Sequence, residues 1–216
     1  MDFGIMIDTE TTNGFDDPMF YDCGWQVIDT LGNVYRERSF VNADIFCGEK
    51  DLMKEAFFAD KIPQYWEEIK DGSRMLASTN GIRKALAEDV RMFGCSFICA
   101  HNARFDYKAL AKTQRYITKS KYRYFVPFGL VWCDTLKMAR QVLGNDEQYR
   151  EFCELNDYIC KNGQLRMTAE IVYRFISDNN DFVEEHTGLA DVDIERQILA
   201  YCLAKMPDLD RELWGN

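Results

Sequence analysis

The sequence lacks the features that mark membrane, secreted and disordered proteins. No stretch approaches the roughly 20 uninterrupted apolar residues of a transmembrane helix, and the acidic start, Met1 to Ile7, does not resemble a signal peptide. Proline is scarce, with four residues, and no linker or repeat divides the chain, so one domain over residues 1–216 is expected. The 47% of hydrophobic residues and 14% of aromatic residues suffice for a core, which excludes wholesale disorder.

Cysteine motifs are also missing. The eight cysteines form no C-x-x-C pair, and Cys95 and Cys99, four residues apart in an apolar run, have no clustered histidine partners. Free, buried thiols in a reducing compartment are therefore expected, with a zinc site as the less favoured alternative. This cysteine usage predicts a cytoplasmic protein, and nothing in the sequence indicates a membrane partner.

Over most of the chain, basic residues are fewer than acidic residues. The 26 basic and 36 acidic residues give a net charge of −10, which argues against a protein that coats nucleic acid but allows an enzyme that handles it at one small site. The exception is the stretch from Arg104 to Arg123, where seven basic residues and one acid give a local charge of +6. This stretch is therefore the first candidate for a contact with nucleic acid.

Hydrophobic periodicity predicts three strands and then an alternation of strands with helices. Short apolar runs bounded by polar residues indicate five strands, at Phe3–Thr9, Tyr21–Asp29, Val34–Val41, Cys95–Ala100 and Leu130–Cys133. Gly32-Asn33 indicates a hairpin between the second and third strands. Helix-spaced apolar residues indicate helices at Lys61–Lys70, Ser78–Phe93, Arg104–Tyr116, after Thr135 and around Ile194–Leu203. This order predicts an α/β domain with a mixed five-stranded sheet flanked by helices.

Two acids end the first predicted strand. Asp8 and Glu10 are two residues apart, so their side chains point to the same face, where two carboxylates repel each other unless a cation neutralises them. A solvated strand end is the alternative, but acids directly after the apolar run from Gly4 to Ile7 are unusual for one. The pair is therefore a candidate metal site.

Both histidines of the chain precede a further acid. His101 and Asn102 follow the fourth predicted strand, and Asp106 lies in the first turn of the next helix. His186 precedes Asp191, which opens the last helix. Acids are also favoured electrostatically in the first turn of a helix, and loop histidines are common, so each motif has a purely structural alternative. The coincidence of the two motifs favours a shared site.

Together these positions supply four carboxylates with an imidazole beside them. Hard oxygen donors suit Mg²⁺ or Mn²⁺, and four carboxylates balance two such ions, which clamp the attacking and leaving oxygens of a phosphoryl displacement. A neutral histidine is suited to deprotonating a water molecule near pH 7. The expected metal ligands are Asp8, Glu10, Asp106 and Asp191, with His186 nearby.

The ordered set resembles the DEDDh exonucleases, the 3′→5′ exonuclease superfamily that includes polymerase proofreading subunits, ribonuclease T and oligoribonuclease. Asp-x-Glu, His-Asn-x-x-Phe-Asp and His-x-x-x-x-Asp occur in the family's order from Asp8 to Asp191. Cys133-Asp134-Thr135-Leu136 is similar to the strand-to-helix step between the family's second and third motifs. The resemblance implies a ribonuclease H-like fold and two-metal hydrolysis of a nucleotide from the 3′ end of single-stranded DNA or short RNA, and it makes a polymerase a candidate partner.

The resemblance also implies roles for individual residues. Asp8 would bridge both ions, and Glu10 and Asp191 would hold the first. Asp106 would support the second ion, partly through water, and His186 would be the general base. The residues implied near the terminal nucleotide are Thr9, Thr11, Thr12 and Asn102.

The sequence departs from the family pattern at Asn13, which stands before Gly14, and in residues 47–74, which match no family motif. Two other functions stay open: a two-metal phosphohydrolase of small nucleotides, and a catalytically silent module that grips a 3′ end. The basic stretch is expected to guide the substrate strand, beside aromatic residues that can stack on bases, through Lys112, Lys119 and Lys121. A solvated helix face is the alternative for this stretch.

Overall fold

Six strands form one mixed sheet in the computed structural model, which describes residues 2–12, 16–118 and 124–213. The strands are β1 Phe3–Thr11, β2 Phe20–Asp29, β3 Val34–Asn42, β4 Met75–Ala77, β5 Phe97–Ala100 and β6 Val131–Asp134. Across the sheet they follow the order β4-β3-β2-β1-β5-β6. β1, β2 and β3 are antiparallel neighbours, whereas β5 and β6 extend the sheet parallel to β1. The predicted α/β class with a mixed sheet is confirmed.

β1 is a central strand because its sequence is apolar on both faces. Gly4 to Ile7 are buried, and the strand pairs with β2 on one side and with β5 on the other. An apolar run without polar alternation is typical of a strand that is covered on both faces. The run ends at Asp8, so the first polar side chains of β1 appear where the strand leaves the core.

The predicted hairpin between β2 and β3 forms around a short polar turn. The Asp29 carboxylate accepts the backbone N–H groups of Leu31 and Asn33, at 2.9 and 3.0 Å. Gly32 has a φ of 82°, a left-handed conformation that glycine adopts without strain. Gly32 and Asn33, the two residues that predicted the hairpin, therefore both take part in this turn.

The sheet has one strand more than the five predicted. β4 is parallel to β3, with Met75 opposite Phe40 and Ala77 opposite Asn42. Its three residues are too few to show an alternating pattern, and Met75 and Leu76 are exposed, so the sequence gives no strand signal there. The prediction of five strands was wrong by this short edge strand.

Helices cover both faces of the sheet. They are α1 Ala43–Phe46, α2 Lys50–Lys54, α3 Ile62–Asp71, α4 Thr79–Phe93, α5 Arg104–Ile117, α6 Thr135–Leu143, α7 Glu147–Leu155, α8 Ala169–Ser177 and α9 Gly188–Lys205, with a 3₁₀ turn at Ala59–Lys61. α4 and α5 pack with Ile5 on one face, and α6 to α9 pack with Met6 on the other. A third apolar cluster lies under α1, α2 and α3 and is built around Tyr21 and Tyr65.

The cysteines fit the expectation of free thiols. All eight are unpaired, and five of them, Cys23, Cys99, Cys133, Cys153 and Cys202, are buried. Burial raises the thiol pKa of Cys23 and Cys99 well above the ordinary value, which disfavours the thiolate that metal binding and oxidation require. Among the helices of the described ranges, none is both long and apolar enough to cross a bilayer.

Candidate active site

Four carboxylates converge at one edge of the sheet, because the elements that carry them end or begin there. Asp8 and Glu10 lie near the C-terminal end of β1, and Asp106 lies in the first turn of α5, just after β5. β1 and β5 are parallel, so their C-terminal ends meet at the same edge. Asp191 lies in the first turn of α9, which packs against β1 and β2. The structure thus brings together the four acids that the sequence predicted.

Distances and hydrogen bonds define the cluster. Thr9 Oγ1 donates to Asp106 Oδ1 at 2.8 Å and so joins β1 to α5. Side-chain ligand atoms of Glu10, His186 and Asp191 all lie within 4.8 Å of one another. Among the described residues, Asp8 Oδ2 and Asp191 Oδ1 are buried without a hydrogen-bond partner. Buried carboxylate oxygens are normally paired, so these two atoms indicate a site built for a ligand.

Burial and repulsion from nearby carboxylates raise the pKa of each of these carboxyl groups. Burial, as the largest cause, raises the pKa of Asp106 to about 7, of Asp191 to about 8 and of Glu10 to about 9. The pKa of Asp8 is raised well above its usual range, by burial first and then by the surrounding carboxylates. In the absence of a cation the cluster therefore retains protons near neutral pH, and a divalent cation can take their place.

Two further acids, which sequence reasoning missed, belong to the same cluster. Glu195 lies one turn after Asp191 on α9, is 3% exposed, and accepts the backbone N–H of His101 at 3.1 Å. Glu184 Oε2 lies 3.7 Å from His186 Nδ1, and burial raises the pKa of Glu184 to about 7. The four-residue spacing from Asp191 to Glu195 on a helix was an available signal. Glu184 lies outside the regular elements, and no spacing in the sequence marks it.

The two histidines have different environments. His101 is enclosed: its Nε2 lies 2.7 Å from the carbonyl of Met167, and its Nδ1 lies 2.9 Å from Thr135 Oγ1. The carbonyl can only accept, so Nε2 carries a proton, and burial lowers the pKa of His101, which favours the neutral ring. With both ring nitrogens engaged, His101 joins elements of the fold and has no free nitrogen for proton transfer.

His186 lies at the rim of the cluster, with its side chain 39% exposed. Its backbone adopts a left-handed φ of 50°, and its ring stacks on Phe58 with 4.6 Å between ring centroids. Lys61 Nζ donates to the carbonyls of Glu185 and His186. Partial burial and the charge of Lys61 lower the pKa of His186, which favours the neutral imidazole that can accept a proton.

Residues 47–74, which match no motif, hold the loop that carries His186. Besides Phe58 and Lys61, this segment supplies Tyr65 and Arg74, whose side chains contact the buried carboxylate of Asp22. Asp22 Oδ2 also accepts the backbone N–H of Gly188, the first residue of α9, at 2.9 Å. The segment therefore fixes the start of the helix that presents Asp191.

The contact between α9 and β2 also depends on two glycines. A Cβ at Gly24 would lie 2.3 Å from the backbone nitrogen of Leu189, and a Cβ at Gly188 would lie 2.6 Å from the backbone nitrogen of Gly24. Both distances are shorter than any real contact, so only glycine allows the two backbones to meet. This close approach places Asp191 beside the end of β1.

Tyr65→Phe tests the link between this segment and the site. The variant removes the 3.0 Å hydrogen bond from Tyr65 Oη to Asp22 Oδ2 and keeps the buried ring. Because the acceptor is a buried carboxylate, we expect the free energy of unfolding to fall by about 1.5–3 kcal/mol, measured by urea unfolding. Tyr35→Phe, which removes a hydrogen bond to Asp29 in the β2–β3 turn, is the control. Equal stability of Tyr65→Phe and the unaltered protein would contradict the link.

Of the residues predicted to contact substrate, some line the cleft and others do not. Thr9 and Asn102 line the cleft above the carboxylates, and Asn102 has a left-handed φ of 65°. The backbone N–H of Thr12 donates to Met19, and the side chains of Thr11 and Thr12 are buried. Lys112 pairs with Asp17 at 2.7 Å and is not among the residues that line the cleft. Asn13 and Gly14, where the sequence departs from the family pattern, and the predicted contacts Lys119 and Lys121 lie outside the described residues.

The carboxylate cluster forms one wall of a cleft of about 1120 Å³. Asp8, Glu10, Asp191 and Glu195 lie on this wall, and His186 lies at its edge beside Phe58. Apolar and basic side chains from α6, α7 and the segment before α8 also line this cleft. The cleft is therefore large enough for more than one nucleotide and carries its acids at one end.

Comparisons with known proteins give structural matches alone, since the sequence matches no family model and no curated protein. Among solved structures, exonuclease I of E. coli in complex with a dT13 oligonucleotide has a TM-score of 0.55 and 12% identity. Exonuclease I of Methylocaldum szegediense has a TM-score of 0.54 and 12% identity. Each match covers 96% of this chain but only 41% and 42% of those chains, respectively.

A third match comes from a shorter protein. Pop2p of S. pombe, in its Mg²⁺- and Mn²⁺-bound form, has a TM-score of 0.52 and 12% identity, over 95% of this chain and 84% of that one. Identities this low speak to the fold alone. The comparisons and the mixed sheet together show that this chain has the ribonuclease H-like α/β fold of the exonuclease I and Pop2p structures.

Proposed function

We propose that this protein is a metal-dependent 3′→5′ exonuclease that hydrolyses the terminal phosphodiester bond of single-stranded DNA or short RNA. The observation that carries the proposal is the buried cluster of Asp8, Glu10, Asp106 and Asp191, with His186 at its rim. The fold shared with exonuclease I, whose structure holds an oligonucleotide, supports the same reading.

The residues present fit Mg²⁺ or Mn²⁺. The donor set consists of carboxylate oxygens, which these hard cations prefer, and Asp8 Oδ2 and Asp191 Oδ1 are buried without partners among the described residues. Asp8 would contribute to holding both ions, Glu10 and Asp191 would hold the first, and Asp106 would support the second. When bound, the ions supply Lewis-acid stabilisation of charge on the phosphate oxygens.

The protein's own residues orient the reaction. His186 Nδ1 faces Glu184 Oε2 at 3.7 Å, which leaves Nε2 to take a proton from the attacking water. The stacking of His186 on Phe58 and the bonds from Lys61 hold its loop in place. Thr9 Oγ1 donates a hydrogen bond to the carboxylate of Asp106. This bond holds the Asp106 carboxylate in a fixed orientation relative to the acids of β1.

The decisive experiment compares oligonucleotides labelled at either end. We expect a 5′-labelled strand to be shortened stepwise in Mg²⁺ or Mn²⁺, a 3′-labelled strand to release labelled mononucleotide first, and EDTA to stop both. DNA and RNA versions of the strand test the sugar preference. Phosphate release from mononucleotides without shortening would favour the small-nucleotide phosphohydrolase, and binding without hydrolysis would favour the silent module.

His186→Ala is expected to lower turnover by roughly two to four orders of magnitude, which is typical of the loss of a positioned general base. The side chain lies at the rim, so the fold should persist, as thermal unfolding can check. Glu185→Ala, one residue earlier in the same loop, is the matched control, because its backbone carbonyl still accepts from Lys61. Turnover of His186→Ala within a few-fold of the control would remove His186 from this role.

A further inference from the structure

Three arginines line the same cleft as the carboxylates. Arg140 lies in the last turn of α6, Arg150 lies on α7, and Arg166 lies in the segment before α8. Their side chains are exposed, and none forms an ion pair with a described residue. We call this set the arginine wall. In a chain of net charge −10, three guanidinium groups that line one cleft without an ion pair to any described residue indicate an anionic ligand.

Hydrogen bonds fix the arginine wall relative to the carboxylates. Tyr149 Oη donates to the carbonyl of Arg166 at 2.5 Å, and Arg150 is the next residue along α7. His101 Nε2 donates to the carbonyl of Met167 at 2.7 Å. The backbone segment that carries Arg166 is therefore anchored at Arg166 itself and at the next residue, Met167.

The same histidine connects that segment to the other parts of the cleft. Its Nδ1 lies 2.9 Å from Thr135 Oγ1 at the start of α6, the helix that carries Arg140. Its backbone N–H donates to Glu195, beside Asp191 on α9. His101 thus joins two of the three arginine-bearing segments, α6 and the segment before α8, to the helix that carries the acids Asp191 and Glu195.

We propose that the arginine wall binds the backbone phosphates of the single strand whose 3′ end lies at the carboxylates. A guanidinium group matches a phosphate geometrically and stays charged at every physiological pH. The carboxylates would repel a polyanion, so the strand needs positive charge at a distance from the reacting end. The phosphates bound would be those upstream of the scissile bond. This inference rests on the proposed nuclease function, but only for the direction in which the strand lies.

A strand bound in this way follows the arginine wall and not the basic stretch around Lys112. Lys112 pairs with Asp17, whereas the arginine wall lies within the cleft itself. The positive charge of the arginine wall therefore lies in the same cleft as the carboxylates. A strand longer than two nucleotides should reach it, and a dinucleotide, which has a single phosphodiester bond at the reacting position, should not.

The test uses the full chain with Arg140, Arg150 and Arg166 all replaced by Gln. Binding of 5′-fluorescein-labelled octathymidylate is measured by anisotropy at several salt concentrations, with Ca²⁺ in place of Mg²⁺ and a phosphorothioate as the last linkage to prevent hydrolysis. We expect affinity to fall by about tenfold or more. Each lost phosphate contact removes about 0.7 from the slope of log affinity against log salt, so the slope should flatten by about 2.

The matched control replaces three exposed basic residues outside the cleft with Gln and so changes the net charge equally: Lys70, Lys84 and Arg91. We expect this control to keep the salt slope of the unaltered protein. In kinetic assays, the KM for octathymidylate should rise in the arginine variant, while kcat/KM for a thymidine dinucleotide stays within a few-fold. Thermal unfolding of both triple variants verifies that they fold.

The outcomes separate this inference from the proposed function. Equal salt slopes and affinities in the two triple variants would overturn the arginine wall, even if the protein is an exonuclease. Equal affinity of the unaltered protein for the octamer and the dinucleotide would overturn it as well. An arginine-dependent salt slope without any hydrolysis would support the arginine wall and refute the nuclease.

Discussion

Asp8→Asn is expected to reduce hydrolysis below detection while the protein stays folded. Asp8 stands at the centre of the cluster, and its pKa is raised well above the usual range, by burial first and then by the neighbouring carboxylates. An amide keeps the size of the side chain but loses the charge that a shared cation requires. The measurement is the rate of shortening of a labelled oligonucleotide in Mg²⁺, together with metal binding by calorimetry.

The same substitution should not destabilise the metal-free protein, because the amide cannot take up the negative charge that burial and the neighbouring carboxylates disfavour at Asp8. Asp51→Asn, on the exposed face of α2, is the control for the loss of one acid and should leave the rate unchanged. If Asp8→Asn retains a rate within tenfold of the unaltered protein, the metal hypothesis fails. Loss of activity together with loss of the folded state would instead show that Asp8 is structural.

Metal removal should make the protein less stable at alkaline pH than at mildly acidic pH. The pKa of Asp106, Asp191 and Glu10 in the folded chain is about 7, 8 and 9, whereas unfolded carboxyl groups titrate near 4. Between these values the folded state binds more protons than the unfolded state. The stability that these protons confer is present at low pH and is lost as pH rises through the folded pKa. In EDTA, the Tm should therefore fall between pH 5.5 and 8.5.

Mg²⁺ should reverse this loss, because it replaces the protons as the neutralising charge. A ligand at one hundred times its Kd stabilises by about 2.7 kcal/mol, which for a domain of this size corresponds to a rise in Tm of about 5–10 °C. The rise should be larger at pH 8.5 than at pH 5.5, and smaller in Glu10→Gln. A Tm in EDTA that rises over this pH range, or a Tm that Mg²⁺ leaves unchanged, would show that these acids do not form a metal site.

Much of the fold could be predicted because its signals are local. The apolar run of β1, the Gly32-Asn33 turn and the helix-spaced stripes of α4 and α9 each appear within a few consecutive residues. β4 escaped prediction because a three-residue, exposed edge strand is defined by its partner β3 and not by its own sequence.

The candidate site could be predicted in part for the same reason. The same-face spacing of Asp8 and Glu10 and the helix-opening positions of Asp106 and Asp191 are local patterns. The roles of these residues stay predictions. Glu195 and Glu184 were missed because their place in the cluster depends on the packing of α9 and of the loop before it, which no short window of sequence contains.

The sequence by itself determined the α/β class, the order of the elements and the identity of four converging carboxylates, because hydrophobic period and residue spacing act over a few residues. Only the tertiary structure decided what surrounds them. It placed residues 47–74 against the His186 loop, set Gly24 against Gly188, and put the arginine wall in the same cleft as the acids. Those contacts join residues far apart in the chain, and the packing that brings them together arises only when the sheet and its helices have assembled.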